Sequence, residues 1–144
     1  MSAPLFLALA TGDFDIERRV YCPIVLLGNR MKGTALDTPH IAFVGAGNMA
    51  SSIIGGLIAS GHSATCITAA DPFPASLERL RKSAPVAVYN DNAEAARSAD
   101  IVILAVKPQI MAEATDSIAT VVRANNAVVI SIAAGVTIAS MQAR

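Results

Sequence analysis

The sequence predicts an α/β fold, a parallel sheet wound on both faces by helices, on three observations. From His40 onward, short apolar runs alternate with segments of helical spacing. The first run, Ile41-Ala-Phe-Val44, ends in Gly45-Ala-Gly47-Asn-Met-Ala50 and passes directly into a helical stretch through Ile58. The 144-residue chain is 53% hydrophobic and 15% charged, with a mean hydropathy of +0.52, which suits strands covered on both faces.

Along the chain, Ile41 to Val44 reads as the first strand. The helix after it carries Met49, Ile53 and Leu57 on one stripe, with Ile54 and Ile58 beside it. Residues 64–70 read as a second strand, 76–83 as a helix with Leu77 and Leu80 inward, and Val86-Ala-Val88 as a short third strand. Asp91, with Glu94 three residues later, resembles a capping box opening a short helix through Ala99. Ile101-Val-Ile-Leu-Ala-Val106 is an unbroken buried strand. Pro108 suits the first turn of the next helix, where Ile110, Ala114, Ile118, Val121 and Val122 share a face. Residues 127–132 form the fifth strand, and Thr137 caps a last helix with Ile138 and Met141 on its buried side. Repeated βα units have right-handed crossovers and are most simply ordered 3-2-1-4-5.

Residues 1–37 do not match this pattern. Leu5-Phe-Leu-Ala-Leu9 is apolar but short and lacks a basic run before it, a poor secretory signal. Tyr21-Cys-Pro-Ile-Val-Leu-Leu27 has strand character with no evident partner. The expectation is an irregular leader or a mis-assigned start over 1–37, with Met31 close ahead of a typical run-in to a first strand. Residues 38–144 then form the domain. A helix cut about two turns after Thr137 is an unusual natural end, and implies a fragment or a truncated reading frame.

Eleven basic and eleven acidic residues give zero net charge, so there is no electrostatic ground for a nucleic-acid or anionic-membrane partner. No apolar run approaches the roughly 20 residues of a spanning helix. Cys22 and Cys66 have neither metal-ligand spacing nor a Cys-x-x-Cys pattern. They read as small buried or incidental residues in a reduced, cytoplasmic setting, with no metal site. No nucleophile constellation is visible, and His40 and His62 are assigned no role.

Strand, glycine turn and helix together form the context of a dinucleotide fingerprint, so the fold is read as a Rossmann-type doubly wound parallel sheet. Gly45 permits the tight turn, Gly47 keeps a Cβ away from a pyrophosphate, and Ala50 lets the helix lie close on the strand. The helix start offers free N–H groups and partial positive charge. Asp71 ends the second strand some two dozen residues beyond Gly47. As a ribose-binding acid it would favour NAD over NADP; as the residue before Pro72 it would equally serve as a helix N-cap. Arg79, Arg81 and Lys82 read as a solvated helix face with a phosphate within possible reach. Lys107 stands at the carboxyl end of the fourth strand, either to neutralise a pyrophosphate or substrate carboxylate or as an ordinary surface lysine. Asn92 and the Ala133-Ala134-Gly135 turn occupy equivalent rims of the sheet.

Phe43-Val-Gly-Ala-Gly-Asn-Met-Ala50, Gly55-Gly56, Val106-Lys-Pro108 and Val129-Ile-Ser-Ile-Ala-Ala-Gly-Val-Thr137, in this order, closely resemble pyrroline-5-carboxylate reductase over about residues 39–144. The resemblance implies reduction of 1-pyrroline-5-carboxylate to L-proline, the last step of proline biosynthesis, with NADP as cofactor and NAD possible. It implies cofactor contacts from Gly45, Ala46, Gly47, Asn48 and Met49 at the pyrophosphate. Asp71 would lie near the adenosine ribose and Asn92 on the adenosine side. Val106, Lys107, Pro108, Ala133, Ala134 and Gly135 would approach the nicotinamide half. Many members have Ser, Arg or Asn at the second-strand end, so Asp71-Pro72-Phe73 departs from a strict NADP pattern.

The family's helical C-terminal domain, which forms the dimer and most of the substrate pocket, has no counterpart here. No catalytic residue is therefore expected in this chain, which would hold cofactor as a monomer, inactive alone, whereas the full-length family is oligomeric. Two other readings stand beside this one: a stand-alone NAD(P)-binding regulatory module, and a β-hydroxyacid or prephenate-type dehydrogenase. Lys107-Pro108 and Ser131-Ile-Ala-Ala-Gly135 favour the reductase over the latter.

Overall fold

The computed structural model describes residues 38–142. The expectations for residues 1–37, including the strand at Tyr21 to Leu27 and the burial of Cys22, lie outside the described residues. Five strands, β1 (Ile41–Val44), β2 (Ile67–Ala70), β3 (Ala87–Tyr89), β4 (Ile101–Leu104) and β5 (Val128–Ser131), alternate with five helices. The helices are α1 (Asn48–Ala59), α2 (Pro74–Ser83), α3 (Asn92–Ala96), α4 (Met111–Asn125) and α5 (Ile138–Gln142). All four strand pairings are parallel, in the order β3-β2-β1-β4-β5, as the βα alternation predicts.

Strand periodicity divides the core in two, because successive side chains point to opposite faces of the sheet. Ile41, Phe43, Ile67, Ala69 and Ile103 face α1 and α2, packing with Ala50, Ile54, Leu77 and Leu80. Ala42, Val44, Val102 and Leu104 face the other way and pack with Ala96, Met111, Ala114 and Ile118 of α3 and α4. The central strand β1 is buried at all four positions, which accounts for its unbroken apolar run.

Several boundaries differ from the predicted ones for local reasons. The first residues of the expected second strand, Ala64–Cys66, close a 3-10 turn in which the Cys66 N–H donates to the Ser63 carbonyl, so pairing starts at Ile67. The third strand is displaced one residue, to Ala87–Tyr89. The fourth ends at Leu104 rather than Val106, although the Ala105 N–H still donates to the Val44 carbonyl. Helix α2 starts two residues early because Pro74, with no N–H to satisfy, fits the first turn. Asp91 caps α3 by accepting from the Glu94 N–H at 2.7 Å, but the regular helix ends at Ala96.

Two apolar residues break their expected stripes. Pro108–Ile110 forms a 3-10 turn before α4. That tighter winding rotates the helix phase, so Met111 is buried and Ile110 is left 43% exposed. Met49, expected on the buried stripe of α1, is 64% exposed. It sits in the first turn of the helix beside the ends of β4 and β5, where it lines a cleft.

Polar groups close the helix ends. Asn125 donates from Nδ2 to the Ala96 and Arg97 carbonyls at 3.1 and 2.7 Å, tying the end of α4 to the end of α3. Asn126 then takes the left-handed conformation that ends α4, at φ 54°. The Thr137 hydroxyl accepts from the Ser140 N–H at 3.3 Å, as expected for the cap of the last helix, and Met141 packs on the second core. Leu80→Ala is expected to cost about 2–5 kcal/mol through a cavity in the first core. Asn125→Ala should cost about 1–2 kcal/mol through two lost hydrogen bonds. Both are measured as shifts in urea-denaturation midpoint.

Candidate functional site

The carboxyl ends of β1, β2, β4 and β5 form one rim, stitched by main-chain bonds beyond the last strand residues. Gly45 N–H donates to the Ala70 carbonyl, Asp71 N–H to Tyr89, Ala105 N–H to Val44 and Ile132 N–H to Leu104, at 2.7–3.2 Å. In an open parallel sheet this rim is where ligands bind, at the point where strand order reverses beside β1.

The two glycines of the turn are required for different reasons. Gly45 has φ +103°, and a Cβ on it would lie 2.5 Å from the Ala105 carbonyl oxygen. The fold itself therefore demands glycine there. Gly47 is extended, at φ −73° and ψ −174°, and its Cβ would meet no atom within 4 Å. Nothing among the described residues requires glycine at 47. It is also the N-cap of α1 and offers no side-chain acceptor to the helix's first N–H groups. A helix start without a cap, next to an open approach, is suited to an external anion.

Asp71 holds this turn from the other side. Its Oδ2 accepts from the Ala46 N–H and its Oδ1 from the Phe73 N–H, both at 2.9 Å, and the residue is only 8% exposed. The helix-cap alternative for Asp71 is corrected: Phe73 is the N-cap of α2, and Asp71 instead closes an Asx-type turn with it. The acid lies at the end of β2, where the fingerprint expects one, with its carboxylate turned inward.

Gly47, Asn48, Met49, Val106, Lys107 and Ala133 are brought together around a cleft of about 260 Å³, joined by Ala105 and Ile132. Lys107 is exposed at the cleft, immediately before the Pro108–Ile110 turn. Pro108 and Gly135 line an adjacent cavity of about 290 Å³ with residues of α4 and α5. Ala134 is exposed in the same turn as Gly135, which has φ +76°. Gly45 and Ala46 are buried beneath the turn. Asn92 stands apart at the start of α3, its Nδ2 donating to the Ser117 hydroxyl at 3.0 Å.

Two further side chains stand at the rim. Phe73 is 66% exposed beside the β2 end. Arg79, read as part of a solvated helix face, donates from Nη1 to Asn48 Oδ1 at 3.2 Å. Neither is visible in spacing alone, because each depends on how α2 lies against α1. Among the described residues, no cluster of His, Cys, Asp and Glu could hold a metal ion. No helix among them is long and apolar enough to cross a membrane.

Residues 40–135 match the family described as NADP oxidoreductase, coenzyme F420-dependent. A pyrroline-5-carboxylate reductase of Pseudomonas aeruginosa is 43% identical over 108 residues, which are 75% of this chain and 39% of that protein. The corresponding reductase of Vibrio alginolyticus is 42% identical over 101 residues, 70% of this chain and 37% of its own length. The chain thus spans about two fifths of these relatives. Among solved structures, a pyrroline-5-carboxylate reductase from Coxiella burnetii superimposes with a TM-score of 0.71 at 33% identity, covering 74% of this chain and 40% of that one. The chain belongs to the NADP oxidoreductase family described as coenzyme F420-dependent, and is similar in sequence and fold to the N-terminal domain of pyrroline-5-carboxylate reductases.

Proposed function

We propose that this domain holds NAD(P)H for the reduction of 1-pyrroline-5-carboxylate to L-proline, as the cofactor-holding part of a pyrroline-5-carboxylate reductase. The observation that carries the reading is Gly47. Its missing side chain leaves open space in front of an uncapped helix start, and a dinucleotide pyrophosphate is the ligand that uses both.

The turn residues Gly45, Ala46, Gly47, Asn48 and Met49 would hold the pyrophosphate, and Asp71 and Asn92 would serve the adenosine side. Val106, Lys107, Pro108, Ala133, Ala134 and Gly135 would border the nicotinamide half. Met49, Val106 and Ile132 give the cleft an apolar lining suited to a flat ring, with Lys107 as the cation for an anionic group. When bound, NAD(P)H would supply the hydride that reduces the imine of the substrate. Such a step depends on alignment rather than on a nucleophile. The chain's own residues fix the turn, and Met49, Val106 and Ile132 would seat one face of the ring. In this reading the cofactor-holding domain spans residues 38–144, and the acceptor's pocket is supplied by residues outside it.

The remaining features fit this role. A small-molecule substrate, without nucleic-acid or membrane partners, agrees with zero net charge. A cytoplasmic setting is proposed on the sequence, whose two cysteines have neither metal-ligand spacing nor a Cys-x-x-Cys pattern.

Titration with NADH and NADPH, followed by nicotinamide fluorescence, is expected to show saturable binding; binding of neither would refute the proposal. Gly47→Val should weaken that binding by at least about ten-fold while costing no more than about 1 kcal/mol of stability, the cap term alone. Unchanged affinity would mean that the loop is only a turn. Gly45→Ala should instead cost about 2–5 kcal/mol in denaturation, from a side chain forced into positive φ and onto a carbonyl.

A further inference from the structure

We infer that Met49 is an oxidation site, where a hydroperoxide converts the thioether to a sulfoxide and so weakens cofactor binding reversibly. The inference rests on the reading of the cleft beside Gly47 as the seat of the nicotinamide ring. Among the described residues, methionines stand at positions 49, 111 and 141. Met111 is 3% exposed and Met141 packs half-buried on the second core, whereas Met49 is 64% exposed. A peroxide must reach the sulfur to oxidise it, so Met49 is set apart from the other two.

The exposure follows from where α1 begins. The helix buries Ala50 and Ile54 against the sheet, and Met49 is its second residue. Helical side chains lean toward the N-terminus of their helix. One in the first turn therefore projects past the helix end instead of lying on a preceding turn. Here it reaches the carboxyl rim, where Met49 lines the cleft with Val106 and Ile132. The free thiol of Cys66 lies at the other end of the sheet, in the turn that precedes β2. Oxidation there leaves the cleft untouched.

The step transfers one oxygen. The Met49 sulfur attacks one oxygen of the hydroperoxide with a lone pair, and the S–O bond forms as the O–O bond breaks. The proton of the transferred oxygen leaves with the other oxygen, as water or an alcohol. Sulfur loses two electrons and the peroxide gains them. A polar, chiral side chain replaces a flexible apolar one. A flat ring laid over it would strip water from the new oxygen, a cost that the apolar side chains of Val106 and Ile132 do not offset. Enzymes that reduce methionine sulfoxide reverse the change, so the cleft responds to peroxide in both directions.

The test treats the whole chain with hydrogen peroxide, with and without saturating NADP+ or NAD+. Dithiothreitol then returns any thiols oxidised to disulfide or sulfenic acid, leaving the sulfoxides in place. Peptide mass spectrometry reads oxidation at each methionine, and nicotinamide fluorescence reads NADH and NADPH affinity. Met49 should be oxidised at least about ten times faster than Met111, and bound cofactor should slow it. Its oxidation should weaken both reduced cofactors by at least about five-fold. A pair of methionine sulfoxide reductases, one for each sulfur epimer, should restore the affinity. In Met49→Leu the affinities before and after peroxide should agree within about two-fold, whatever the starting value. A Met49 that resists peroxide, or whose sulfoxide leaves affinity undiminished, would overturn the inference. So would an equal peroxide-induced loss in Met49→Leu, or bound cofactor that fails to protect Met49. Binding of neither cofactor to the untreated native protein would overturn the cofactor proposal itself, a result read before any oxidation.

Discussion

The backbone of Gly45 lies so close to the Ala105 carbonyl that no side chain fits between them. That contact seats the β1–α1 turn on the end of β4. With the Gly45 N–H donating to the Ala70 carbonyl on the other flank, the turn is tied to both neighbours of the central strand. Where the first helix begins, and what its N-terminus faces, follow from this. A turn held only by its own sequence would be free to choose among several conformations; one wedged between two strand ends is not.

The Asp71 carboxylate adds a second constraint of a different kind. It reaches from the end of β2 to the Ala46 N–H and back to its own loop at Phe73. A buried carboxylate is tolerated when main-chain donors satisfy it, and both oxygens are satisfied here. One side chain therefore sets the shape of the glycine turn and the starting point of α2, coupling that turn to the second helix. The acid that the fingerprint places beside a ribose is, in this fold, also part of the scaffold.

The two glycines of Gly45-Ala-Gly47 divide fold from function. Position 45 is glycine because the protein would otherwise collide with itself. Position 47 has open space around it, so the described fold does not account for the missing side chain, whereas the proposed pyrophosphate would. Identical letters in a motif thus have separate physical causes, and only coordinates tell them apart. The fingerprint alone is shared by many oxidoreductases, and the later segments at Lys107-Pro108 and Ala133-Ala134-Gly135 connect it to the reductases that the chain resembles. Of these, Lys107 and Ala133 line the cleft beside Gly47 while Pro108 and Gly135 border its neighbour.

The sequence by itself determined the architecture: five apolar runs, the helical spacing between them and the glycine turn were enough for a parallel sheet in the order β3-β2-β1-β4-β5. These signals are local, since burial on both faces and the period of a helix are written in adjacent residues. Only the tertiary structure decided what the rim residues do. Met49 shares a helical stripe with Ile53 yet faces a cleft, because its turn stands beside the strand ends. Met111 replaces Ile110 in the core because a 3-10 turn resets the phase of α4. Asp71 braces a turn rather than capping a helix, and Arg79 meets Asn48 across 31 residues of chain. Each of these outcomes depends on where one element ends against another, and periodicity within a single element carries no information about that.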